Sequence, residues 1–123
     1  MAYQDIIAAA AAKHRLDPKL LAAVIQHESG GNADAVGDGG NAVGLMQMHA
    51  AAAADVGVNW AQLRGNPALQ VDAGAAYLAK MLSIFGGNQA WALGAYNQGP
   101  TLMLRARDYA SAVLVLALVP PDA

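Results

Sequence analysis

Asp17-Pro18-Lys19-Leu20-Leu21-Ala22-Ala23-Val24-Ile25-Gln26-His27-Glu28-Ser29-Gly30-Gly31 holds the only glutamate of a 123-residue chain. Asp17 suits a helix N-cap and Pro18 the first helical position, because the N–H that proline lacks would have no helical partner there. Leu21, Val24, Ile25 and Glu28 follow at i, i+3, i+4 and i+7 and share one face. A carboxylate therefore sits on an apolar stripe. Gly30-Gly31 stop the helix, so Glu28 falls in its last turn, at the rim of a core rather than deep within it. The negative end of the helix dipole and partial loss of water both disfavour the ionised carboxylate, so its pKa is expected above the reference value. A rise from about 4.3 to about 6 takes roughly 2.3 kcal/mol, within reach of a half-buried site. A proton donor near neutral pH is the expected product.

Outward from this helix, the length fits one domain spanning residues 1–123 with a real core. There is no cysteine, so neither a disulfide framework nor a thiolate metal site exists. A net charge of −2 offers no electrostatic footprint for nucleic acid or an anionic membrane. Alanine is abundant, aromatics are few, and glycine and proline are read as falling between the apolar periodic segments rather than within them. The predicted class is all-α, or mainly α, with residues 30–44 as an irregular or short hairpin-like loop. That loop carries six glycines together with Asn32, Asp34, Asp38 and Asn41, and it is expected to form one wall of a cleft.

Along the rest of the chain, residues 3–15 read as a first helix, and residues 45–56 are predicted to return to helix. A short turn forms around Trp60. Asn66-Pro67 opens a long helix that continues to Phe85 and stops at Gly86-Gly87, and Asn88 caps the next one. A last helix starts at Thr101 and ends in the apolar run 112–119 before Pro120-Pro121. That run is too short for a bilayer core, which needs about 20 helical residues, so a buried terminal helix is expected. The apolar run at 6–12 lacks a basic leader and follows Asp5, which argues against a signal peptide.

Three blocks occur in order: Glu28-Ser29, Gly44-Leu45-Met46-Gln47 and Ala95-Tyr96-Asn97-Gln98-Gly99-Pro100, with Asn66-Pro67 and Tyr77-Leu78 between the last two. On these the chain resembles the soluble lytic transglycosylase domain family over residues 16–103. The resemblance implies a lysozyme-like fold and cleavage of the β-1,4 bond between N-acetylmuramic acid and N-acetylglucosamine in peptidoglycan, with a 1,6-anhydro product. It implies that Glu28 is the single acid and then base, and that Ser29, Gln47, Met48, Tyr96 and Asn97 meet substrate or hold the glutamate. Read by themselves, Met46 fits core or cleft, Tyr96 a core aromatic, and Asn97 a helix C-cap. The chain departs from the family where many members carry a loop serine, near Gly37 or Ala42, and where a proline follows the Gln47 block, here His49-Ala50.

Other chemistries fail on spacing. His27-Glu28 begins a zinc-protease motif, but Gly31 stands where its second histidine belongs. Residues 32–43 lack a closing glutamate for a calcium loop, and Gly37-Asp38-Gly39-Gly40 lacks the lysine of a phosphate loop. No metal, nucleotide or other cofactor is predicted. The partner implied is the peptidoglycan glycan strand, met by a monomer at the bacterial wall without stable membrane insertion. A bare catalytic chain without a leader suits a phage lysis or virion-associated enzyme. Two rivals stay open: a goose-type lysozyme-like hydrolase with Asp38 or Asp34 as base, and a catalytically silent glycan-binding module.

Overall fold

The computed structural model describes residues 3–117. They form α1 (Gln4–His14), α2 (Pro18–Ser29), a hairpin of β1 (Val36–Gly37) and β2 (Ala42–Val43), α3 (Ala50–Asp55), α4 (Pro67–Ile84), α5 (Gln89–Gln98) and α6 (Pro100–Ala117). The class is mainly helical with one short hairpin, as the sequence predicts. Residues up to Lys80 and from Met81 onward each make a compact unit.

In the first unit, α1 buries Ile7, Ala10 and Ala11. Its last turn is tied to α4, where Asp72 accepts from His14 Nε2 at 2.8 Å and from Lys13 Nζ at 3.1 Å. Burial alone would raise the Asp72 carboxyl, but these two partners outweigh it and hold the group below its ordinary value. The start of α2 is as predicted: Asp17 Oδ1 accepts from the Lys19 amide at 2.9 Å. Leu21, Val24 and Ile25 are buried, and Gly30, at φ +63°, ends the helix in the left-handed conformation.

The hairpin pairs Val36 with Val43 and Gly37 with Ala42, antiparallel, across a 3₁₀ turn at Asp38–Gly40. The helix predicted over 45–56 is corrected here: it begins only at Ala50. Val43 and Met48 exchange both backbone hydrogen bonds, at 3.2 and 3.0 Å. That bridge closes a tight loop through Gly44 (φ +84°) and Gln47 (φ +48°), neither of which is helical. Met46 lies wholly within the core, which settles its reading.

One polar side chain organises these loops. Gln70 of α4 is fully buried; its Oε1 accepts from the Leu45 amide at 2.9 Å, and its Nε2 donates to the carbonyls of Leu63 at 2.8 Å and Ala33 at 3.1 Å. A side chain at Gly44 would collide with Gln70 Cδ. The expectation that glycine stays outside the helices is also corrected. Gly74 lies inside α4, where a Cβ would overlap Met46 Sδ, so close packing outweighs a helix cost of about 1 kcal/mol relative to alanine.

In the second unit, Gly86 and Gly87 take φ +60° and +85°, and the Gly87 amide returns to the Leu82 carbonyl at 2.8 Å. Asn88 Oδ1 caps α5 through the Trp91 amide at 3.1 Å. Trp91 stacks on Phe85 with centroids 6.3 Å apart, and the Arg107 guanidinium lies 5.9 Å from the Phe85 centroid. Gly94 lies inside α5 where Met103 takes the space of a side chain. The buried terminal helix is not found among the described residues: Val113, Leu114 and Val115 are 44%, 67% and 63% exposed. The rest of that run to Val119, and Pro120-Pro121, lie outside the residues whose side chains are described. No helix among the described residues is long and apolar enough to cross a membrane.

Replacing Gln70 by Leu keeps the volume but strands the Leu45 amide and the Ala33 carbonyl, while the Leu63 carbonyl keeps the Asn66 amide at 3.1 Å. Unsatisfied buried groups cost about 1–3 kcal/mol each, partly shared among neighbours, so Gln70→Leu should lose roughly 3 kcal/mol in urea denaturation. A loss under about 1 kcal/mol would mean that the loops do not depend on this side chain.

Candidate active site

The site is built where α2 stops. Glu28 occupies the penultimate residue of that helix and is half-buried. It belongs to no ion pair among the described residues. Loss of water is the largest influence on its carboxyl and raises its pKa, while the nearby imidazoles of His27 and His49 pull in the opposite direction without cancelling the rise. The carboxyl is thus neither paired with a basic group among the described residues nor fully in solvent.

Ser29 spends its hydroxyl locally. It donates to the Ile25 carbonyl at 3.1 Å and accepts from the Gly31 amide at 3.2 Å, closing the helix end and orienting the turn beside Glu28. Gln47 is held even more tightly. Its Nε2 donates to the carbonyls of Ala35 at 3.1 Å and Gly44 at 2.9 Å, so both amide hydrogens are used and its Oε1 remains as an acceptor. Met48 is 1% exposed. Its side chain lies in the core rather than at a surface, and its carbonyl receives Trp60 Nε1 at 2.7 Å.

Tyr96 and Asn97 lie in the last turns of α5 in the second unit. Tyr96 is half-buried and Asn97 exposed. The departure at the loop serine has a physical reason at Gly37: a Cβ there would come within 2.5 Å of Gln47 Oε1. The fixed glutamine leaves no room for a side chain opposite it. His49 takes extended backbone in front of α3, and its Nε2 lies 3.1 Å from Asp38 Oδ2 on the 3₁₀ turn. Asp38 and Asp34 are both exposed.

Sequence reasoning missed three features that shape this site: the buried Gln70, Trp60 as a donor to Met48, and the Asp38–His49 pair. Gln70 left a readable signal, a polar residue on the same helix face as Ala73, Gly74 and Tyr77, where an apolar one would be expected. The other two join residues from separate segments and leave no periodic mark.

A family model described as "Transglycosylase SLT domain" matches residues 5–114. The chain is 40% identical over 95 residues to the transglycosylase of Enterobacteria phage PRD1, covering 77% of this chain and 34% of that protein. It is 36% identical over 91 residues to the invasion protein IagB of Salmonella typhimurium, covering 68% and 56% respectively. The fold is similar to the lytic transglycosylase Slt of Pseudomonas aeruginosa, solved as an inactive glutamate-to-glutamine mutant, with a TM-score of 0.72 and 29% identity over 84% of this chain and 18% of that one. The chain thus spans between about a fifth and just over half of these relatives.

A serine introduced at Gly37 should not restore the family's loop hydroxyl without disturbance. It should push the Gln47 amide off Ala35 and Gly44, costing about 1–2 kcal/mol for two strained hydrogen bonds in thermal unfolding. A Gly37→Ser protein with unchanged stability would show that Gln47 yields freely.

Proposed function

This chain belongs to the transglycosylase SLT domain family, and from that premise we propose that it is a peptidoglycan lytic transglycosylase working through one carboxyl group. Glu28 donates its proton to the glycosidic oxygen between N-acetylmuramic acid and N-acetylglucosamine. The bond from that oxygen to C1 breaks, and N-acetylglucosamine leaves with a free 4-hydroxyl. The C6 hydroxyl oxygen of the muramoyl residue then bonds to C1 while its proton passes to the Glu28 carboxylate. A 1,6-anhydro ring forms, the acid is regenerated, and no water is consumed. One group serves in both steps because its pKa is moved toward the working pH.

The observation that carries this reading is the half-buried Glu28 at the end of α2, raised by desolvation and outside every ion pair among the described residues. The similar Pseudomonas enzyme, solved as an inactive glutamate-to-glutamine mutant, supports the same choice of residue type. Gln47 Oε1 is suited to accept from the N–H of an N-acetyl group. Ser29 sets the turn beside the acid, and Tyr96 and Asn97 are assigned to substrate contact by the family pattern. Peptidoglycan strands are the partner, and the wall is the place of action. The phage relative is in keeping with a phage origin.

Glu28→Gln should lower wall-lysis activity by about a hundredfold or more, the scale of general acid–base catalysis. Mass spectrometry of products from the parent protein should give 1,6-anhydro termini; hydrated reducing ends would move the assignment to the hydrolase with an aspartate base. Activity should fall as pH rises through the raised pKa of Glu28, since the ionised form donates no proton. The same shift makes a thermodynamic prediction. A carboxyl whose pKa is raised by folding destabilises the fold once ionised, and imposes nothing below its unfolded pKa. Glu28→Gln should therefore raise the melting temperature at pH 7 and leave it unchanged near pH 3; a drop at pH 7 would contradict the desolvated acid.

A further inference from the structure

A concavity of about 170 Å³ lies in the first unit between residues 33–36 with Val43 on one side and Arg64-Gly65 on the other. Its wall residues include one anion and one cation, Asp34 and Arg64. Neither enters an ion pair among the described residues, with the other or with any third group. Opposite charges that share one pocket yet stay apart leave a gap for a ligand carrying both complements.

Both walls are preformed. The Ala33 carbonyl on one side and the Leu63 carbonyl next to Arg64 on the other are held by the same Gln70 amide. The Ala35 carbonyl is held by Gln47 Nε2 and by the Gly44 amide at 2.8 Å, and the Asp34 amide by Asn32 Oδ1 at 2.9 Å. A site whose backbone is fixed before binding loses little ordering entropy on occupation. The volume is ample for an ammonium, a carboxylate and the carbon joining them.

We infer that this pocket binds an α-aminocarboxylate group, with the carboxylate on Arg64 and the ammonium on Asp34. A guanidinium recognises a carboxylate through paired N–H donors, and a carboxylate accepts from an ammonium. Two sources share this chemistry: a free amino acid, and the unacylated end of a diamino acid in a wall peptide. The second source rests on the peptidoglycan reading; the pocket itself does not.

The experiment is an NMR titration of the full chain followed at the backbone amides, with glycine, acetate and methylammonium as separate probes. Glycine should shift the amides of 33–35 and 64–65, and the two half-ligands should bind at least about tenfold more weakly. Arg64→Gln and Asp34→Asn, both at exposed positions and checked for an otherwise unchanged spectrum, should each weaken glycine by about tenfold. Acetate binding as well as glycine would reduce the pocket to a simple anion site and overturn the proposal. So would the absence of shifts with glycine, or variants that bind it like the parent. For the source, the Glu28→Gln protein is titrated with a muropeptide bearing a free diamino-acid end and with its N-acylated form. Shifts with the free form alone assign the wall peptide, and glycine binding without either muropeptide assigns the free amino acid. Because no turnover enters the readout, loss of the enzymatic reading and loss of this pocket are separate results.

Discussion

Three hydrogen bonds from a single buried amide fix the geometry on which the first unit depends. Gln70 reaches the loop after α2 at Ala33, the loop after the hairpin at Leu45 and the turn before α4 at Leu63. Each of those backbone groups lies where no helix or sheet can satisfy it, and an unsatisfied buried polar group is expensive. A primary amide is the one side chain that offers an acceptor and two donors in a flat array of this size. Gly44 has no side chain because the amide occupies the space. Glycine there answers a steric demand as well as a need for positive φ.

From this anchor the environment of the acid follows. The hairpin, its Val43–Met48 closure and the indole of Trp60 hold the 44–48 loop in place, and His49, which follows that loop, acts on the Glu28 carboxyl. The acid itself is set by α2 alone, through the Asp17-Pro18 start, the buried stripe and the glycine stop. Its raised pKa comes from desolvation against the pull of two histidines. The fold keeps this carboxyl, which enters no ion pair among the described residues, half out of water, a local cost that surrounding structure must offset.

The segment between α2 and α3 spends its polar groups on itself. Gln47 is packed against Gly37 with both amide hydrogens engaged. The His49 imidazole pairs with Asp38 on the 3₁₀ turn.

The sequence by itself determined α2 and its glutamate, the hairpin-like character of the glycine-rich loop, the caps at Asp17, Asn66 and Asn88, and the mainly helical class. Each of these is local: periodicity, capping chemistry and turn residues act within a few positions of the chain. Only the tertiary structure decided that 45–48 is not helical, that Met46 and Met48 are core, that Gly74 and Gly94 belong inside helices, and that Gln70 joins three loops. In each of those cases the deciding partner is a residue from another segment: Met48 pairing with Val43, Met46 filling the space over Gly74, a side chain on α4 reaching carbonyls far away in sequence. A pattern read along the chain registers what a residue does to its neighbours, whereas packing space and buried hydrogen-bond partners exist only once distant segments have met.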